Sequence, residues 1–84
     1  MKNIDILKKK ILYRSEYRGM KEMDLLLSNF VKKYINDFGI VELKQLHELI
    51  NFDDESLFKW YLSKKNKNKI PNNKVSNLLK NFKI

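Results

Sequence analysis

From Met20 onward, apolar residues stand at Met20, Met23, Leu26, Leu27, Phe30, Val31, Tyr34 and Phe38. That is the i, i+3, i+4, i+7 spacing of one helix face. A stripe this long must be covered by other parts of the chain, so it predicts a helix over about Met20 to Asp37 at the centre of a small core. Gly19, one of only two glycines, stands just before it. Glycine adopts positive φ at little cost, which predicts a left-handed cap past the end of a preceding helix, and Gly39 predicts the same at the end of the long one. Glu22 and Asp24 fall in the first turns, where the helix macrodipole favours negative charge.

The other periodic segments are shorter. Ile4, Leu7 and Ile11 mark one face of a helix from Asn3 or Ile4 to Tyr17, with Ile6, Tyr13 and Tyr17 beside it. Leu43, Leu46, Leu49 and Ile50 predict a helix over Val41 to Ile50. Asn51-Phe52-Asp53-Asp54 reads as a turn, with Asp53 or Asp54 accepting the orphan amides of a fourth helix that runs to about Ser63. Its apolar face is Leu57, Phe58, Tyr61 and Leu62, with Trp60 at the margin. Residues 63–74 form a lysine- and asparagine-rich connector in which Pro71 turns Ile70 away from helical angles. A short terminal helix starts near Asn72 or Asn73 and carries Val75, Leu78, Leu79 and Phe82. No segment alternates as a strand does. The expectation is one all-α domain over residues 1–84, a bundle of five helices.

Charge is unevenly placed. Of the formal +8, residues 1–40 hold nine basic and five acidic groups, residues 41–63 two and five, and residues 64–84 seven lysines and no acid. Lys8, Lys9 and Lys10 are consecutive, so they should spread around their helix as a solvated run and not form one patch. There is no cysteine, which removes disulfides and zinc thiolates and fits a reducing compartment. No apolar run reaches the ~20 residues that span a bilayer. The N-terminus resembles neither a secretory signal nor an arginine-rich transit peptide. These features point to a cytoplasmic, bacterial protein. His47, the only histidine, has no nucleophile or orienting acid in a recognisable pair, so a surface or boundary role is expected. No metal-ligand spacing, phosphate loop or nucleophile elbow is present, and an independent enzyme is not expected.

Local physics accounts for Gly19 and Glu22 as corner and dipole partner, but it leaves Arg18 without an i+4 acid on its own helix, since Glu22 begins a different one. Arg18-Gly19-x-x-Glu22 follows Leu12-Tyr13-Arg14-Ser15 and precedes Asp24 and a leucine run. A second stretch reads Leu49-Ile50, Asp53-Asp54, Leu57-Phe58-x-Trp60. In this order, over roughly residues 8–62, the sequence resembles the small flavinylation factors of succinate dehydrogenase, the bacterial flavin-adenine-dinucleotide (FAD) assembly factor and its mitochondrial counterpart. The lysine-rich residues 64–84 follow no pattern of that family.

The resemblance implies a chaperone-like assembly factor that binds the flavoprotein subunit of succinate dehydrogenase, with fumarate reductase as a related client. It implies promotion of the covalent attachment of FAD to a histidine of that client. The factor itself would hold no cofactor stably, act on the client's FAD, and be monomeric when free. It places Arg18, Gly19 and Glu22 at the corner that meets the client, with Arg14, Asp24, Asp54 and Trp60 as further client-binding residues. For Trp60, core packing and an aromatic interface anchor are both open; Asp53 and Asp54 are caps that can also border the surface. The rival reading is a small basic nucleic-acid-binding protein. Against it, a recognition helix beginning Asp53-Asp54-Glu55 would present carboxylates to phosphates.

Overall fold

A computed structural model describes residues 3–16, 18–63 and 70–83. Among them are five helices and no strand: α1 (Asn3–Ser15), α2 (Lys21–Tyr34), α3 (Ile40–Ile50), α4 (Asp54–Leu62) and α5 (Lys74–Asn81). The all-α bundle expected from periodicity is the one observed. Tyr17, the expected end of the first helix, and residues 64–69 of the lysine-rich connector lie outside the described residues.

The helix of the long apolar stripe is the centre of the core. Met23, Leu26, Leu27, Phe30 and Val31 are buried along one face of α2, while α1 packs on both α2 and α3, α3 on α5, and α2 on α4. Ile11 from α1, Leu43, Leu46, Leu49 and Ile50 from α3, and Leu57 and Trp60 from α4 complete it. Trp60, placed at the margin of its helix by periodicity, is only 3% exposed, with the Lys80 ammonium 5.4 Å from its ring centroid. Core packing is therefore the role the fold gives it.

The C-terminal segment closes the core. Ile70, Val75 and Leu79 are buried, and the Phe82 ring meets Phe30 edge-on at 5.3 Å. Tyr61 donates its hydroxyl proton to the Phe82 carbonyl. Asn73 starts α5 with a capping box, its side chain accepting from the Ser76 amide while the Ser76 hydroxyl accepts from the Asn73 amide.

Two expectations about glycine are corrected. Gly19 does not occupy the left-handed region, and Gly39, with φ −79° and ψ −177°, is the N-cap of α3 and not a C-terminal cap. The helix of the apolar stripe stops at Tyr34, where the Asp37 and Phe38 amides both donate to the Tyr34 carbonyl. Asn36 and Asp37 favour turns because their side chains compete for backbone groups. That turn still lets Phe38 stack on Tyr34 at 5.4 Å.

Candidate functional site

The α1–α2 corner and the α3–α4 turn are 32 to 36 residues apart in sequence, yet one side chain ties them together. Arg18 donates from Nε to Asp54 Oδ1 at 2.6 Å, from Nη1 to the carbonyls of Ile50 at 2.6 Å and Arg14 at 3.1 Å, and from Nη2 to the Phe52 carbonyl at 2.9 Å. Ile50 is the last residue of α3 and Arg14 the penultimate residue of α1. Their carbonyls belong to the negative ends of two helix dipoles, and a cation satisfies both.

Asp54 answers with the opposite logic. Its Oδ2 accepts the Met20 amide at 3.0 Å, at the start of α2, while Asp54 itself opens α4. Each charge of the pair thus faces helix ends of opposite sign. The side chains of Arg18 and Asp54 are 10% and 17% exposed, so their pairing is far less screened than that of a surface ion pair. Of the two adjacent acids expected to cap α4, Asp53 does so, accepting the Ser56 amide at 3.0 Å. Asp54 caps across the fold instead.

Asp53 has a consequence in pH. Hydrogen bonds from Ser56, its hydroxyl first and its amide second, hold the Asp53 carboxyl below the ordinary 3.8. A depressed folded-state value means stabilisation that is complete above the unfolded value and lost as pH falls through the folded one. Asp53→Ala should therefore lower the melting temperature at about pH 6, and the gap to the unsubstituted protein should narrow below about pH 3.8. A gap that is constant across that range would show the cap to be independent of ionisation.

Beside the Arg18 knot lies an open cleft of about 460 Å³ lined by Tyr13, Arg14, Glu16, Arg18 and Gly19 on one side and by Ile50 to Asp54 on the other. Gly19 is exposed at its lip. A β-carbon there would meet only Asp54 Oδ2, at an ordinary 3.7 Å, so the corner's own packing does not demand glycine.

The fold brings four of the singled-out residues, Arg14, Arg18, Gly19 and Asp54, into this cleft. Glu22 is exposed and Asp24 half-buried on the first turn of α2, outside the cleft lining. Trp60 is in the core. Tyr13, 72% exposed, was expected beside the apolar face of its helix and instead lines the cleft, as do Asn51 and Phe52. Tyr13 was legible only as part of the quoted Leu12-Tyr13-Arg14-Ser15 stretch. The turn residues carried a structural signal and nothing more.

Two helix N-termini at this corner are already closed by carboxylates, Asp54 on Met20 and Asp53 on Ser56. They present acids where a dinucleotide's pyrophosphate would need free amides. Among the described residues, no group of three metal-ligating side chains is present and no helix is long and apolar enough to cross a membrane.

The model of a family described as "Flavinator of succinate dehydrogenase" matches residues 9–83. The match runs through the tail that follows no family pattern by motif. The chain is 39% identical over 57 residues to the mitochondrial succinate dehydrogenase assembly factor 2 of Scheffersomyces stipitis, covering 68% of this chain and 38% of that protein. Identity to mitochondrial assembly factor 2-A of Drosophila mojavensis is 47% over 55 residues, covering 63% and 35%. Identity to mitochondrial assembly factor 2-B of Drosophila ananassae is 38% over 79 residues, covering 92% and 48%. The chain spans less than half the length of these relatives. All three are named as mitochondrial proteins of eukaryotes, which overturns the expectation of a bacterial cytoplasmic protein. No solved structure matches the chain.

Proposed function

The chain belongs to the family of flavinators of succinate dehydrogenase, and on that premise we propose that it binds the enzyme's flavoprotein subunit and promotes covalent attachment of FAD to a histidine there. The observation that carries this reading is the Arg18 knot, which holds Gly19 bare at the lip of the cleft. Arg18 is a positioning residue in this account. With its guanidinium committed to Asp54 and three carbonyls, the groups left to face the client are the Gly19 backbone, the exposed Glu22 carboxylate and Arg14. Asp54 acts with Arg18, and Asp24 supports the first turn of α2.

The attachment chemistry belongs to the client and its flavin. This chain contributes geometry: a rigid corner that holds the client where its histidine and flavin meet, a contribution that positioning alone can make worth several kcal/mol. It holds no FAD of its own, and the same surface would serve a fumarate reductase flavoprotein. Glycine lets another backbone approach closely, and Glu22 can accept from a client cation or amide.

Glu22→Ala tests this directly by isothermal titration against the purified flavoprotein subunit. Affinity should fall about tenfold, as for loss of one charge-assisted hydrogen bond. The melting temperature should move by no more than about 4 °C, as for an exposed substitution. Unchanged affinity would remove Glu22 from the interface, and a parallel loss of stability would make its role structural.

A further inference from the structure

A second cleft, about 670 Å³, opens between α1 and α3 and is lined by Lys9, Lys10, Tyr13, Arg14 and His47. Sequence spacing predicts that the three consecutive lysines scatter. Lys8 does leave, donating to Asn36 Oδ1 at 3.5 Å, but Lys9 and Lys10 both line this cleft. Lys10 and Arg14 are four residues apart on one helix face, and the wall from α3 adds an imidazole. Like charges so placed repel.

None of Lys9, Lys10 and Arg14 joins an ion pair in the described fold. Among the described residues, ion pairs join Arg18 to Asp54, Lys32 to Glu16, Lys59 to Glu55 and Lys74 to Glu42. No carboxylate lines the cleft. Three cations share one concave, tyrosine-walled space without an internal counter-charge.

We infer that this cleft is a docking site for an acidic peptide segment of a protein partner. Charge complementarity requires an anionic occupant. The tyrosine ring and the aliphatic lysine stems offer apolar contact that suits side chains more than a bare phosphate. A nucleic acid would need a basic track beyond the cleft, and on the corner side the track runs into Glu16, Asp53 and Asp54. Tyr13 and Arg14 line both clefts, so the acids of the corner also mark where an acidic segment in this one should end. The inference stands on this cleft's own charges and does not depend on which protein supplies the segment.

Fluorescence anisotropy at physiological ionic strength with labelled hexaglutamate and hexaglutamine tests it on the full chain. Hexaglutamate should bind saturably at one site, and hexaglutamine should not. The double variant Lys9→Gln/Lys10→Gln should weaken hexaglutamate binding about tenfold, and His47→Gln should weaken it less. Lys21→Gln/Lys83→Gln, which removes the same charge from exposed positions elsewhere, should leave it within about twofold. All of these positions are outside the buried core, so unchanged melting temperatures can confirm folding. Equal losses in both double variants would reduce the effect to net charge and overturn the assignment. So would a thymidine oligonucleotide or inorganic phosphate that displaces hexaglutamate and loses its own binding with Lys9→Gln/Lys10→Gln.

Discussion

Gly19→Arg is expected to reduce covalent flavin on the client subunit by at least about tenfold while α1 to α5 stay folded. The added β-carbon has room, since its nearest neighbour is Asp54 Oδ2 at 3.7 Å, and the backbone is not left-handed there, so an L side chain is not strained. What the new side chain does is fill the lip of the cleft and bring a second guanidinium to the carboxylate that holds Arg18. A tenfold loss corresponds to about 1.4 kcal/mol of misplaced client. Gly19→Ala separates the two effects: its stability should stay within about 0.5 kcal/mol of the parent, and its activity should fall between the two. Circular dichroism and covalent flavin content, read on the same preparations, check both. A folded Gly19→Arg protein with full activity would take the corner out of the mechanism.

Arg18→Ala is expected to act differently, through the fold. It strips the Asp54 carboxylate of its cation and leaves the Ile50 and Phe52 carbonyls without the donors they have now. Breaking a largely buried, hydrogen-bonded pair from one side costs about 2–4 kcal/mol. At about 4–8 °C per kcal/mol for a domain of this size, the melting temperature should drop by about 8–32 °C. Set against a total of about 4–12 kcal/mol, that loss is a large share of the stability. Arg18→Lys should recover only part, because an ammonium cannot span four acceptors with a planar fork. A double-mutant cycle with Asp54→Ala should return a coupling of about 1–3 kcal/mol. Activity should fall in step with stability. An Arg18→Ala protein that melts normally but fails to flavinylate would put Arg18 in direct contact with the client and contradict the positioning role.

The contrast between these neighbours shows where sequence carried the answer and where it stopped. The 3.6-residue period of Met23, Leu26, Leu27, Phe30 and Val31 is a local property, and so are the N-cap acids after Phe52; each was legible before any fold existed. Arg18 was conspicuous because its i+4 acid, Glu22, begins a different helix. Its partner is 36 residues away, a distance only tertiary structure closes. The same is true of Trp60, whose burial depends on packing that its helix alone does not encode. The tail read as low-complexity because its lysines and asparagines outnumber Ile70, Val75 and Leu79, yet those three residues are what close the core. Lys9 and Lys10 looked separated by about 100° on a helical wheel. A cleft between two helices is nonetheless lined by both. At the α1–α2 corner the motif singled out the residues, but only geometry tied Arg18 to Asp54 and left Gly19 and Glu22 exposed.

The measurement that bears most directly on the proposed function is in-gel flavin fluorescence of the denatured succinate dehydrogenase flavoprotein subunit. It should be prepared with and without this protein while FAD and dicarboxylate are limiting. Only covalently attached flavin survives denaturation. The account predicts a fluorescent band that requires this protein and is lost with Gly19→Arg. A band of equal intensity in its absence would contradict it.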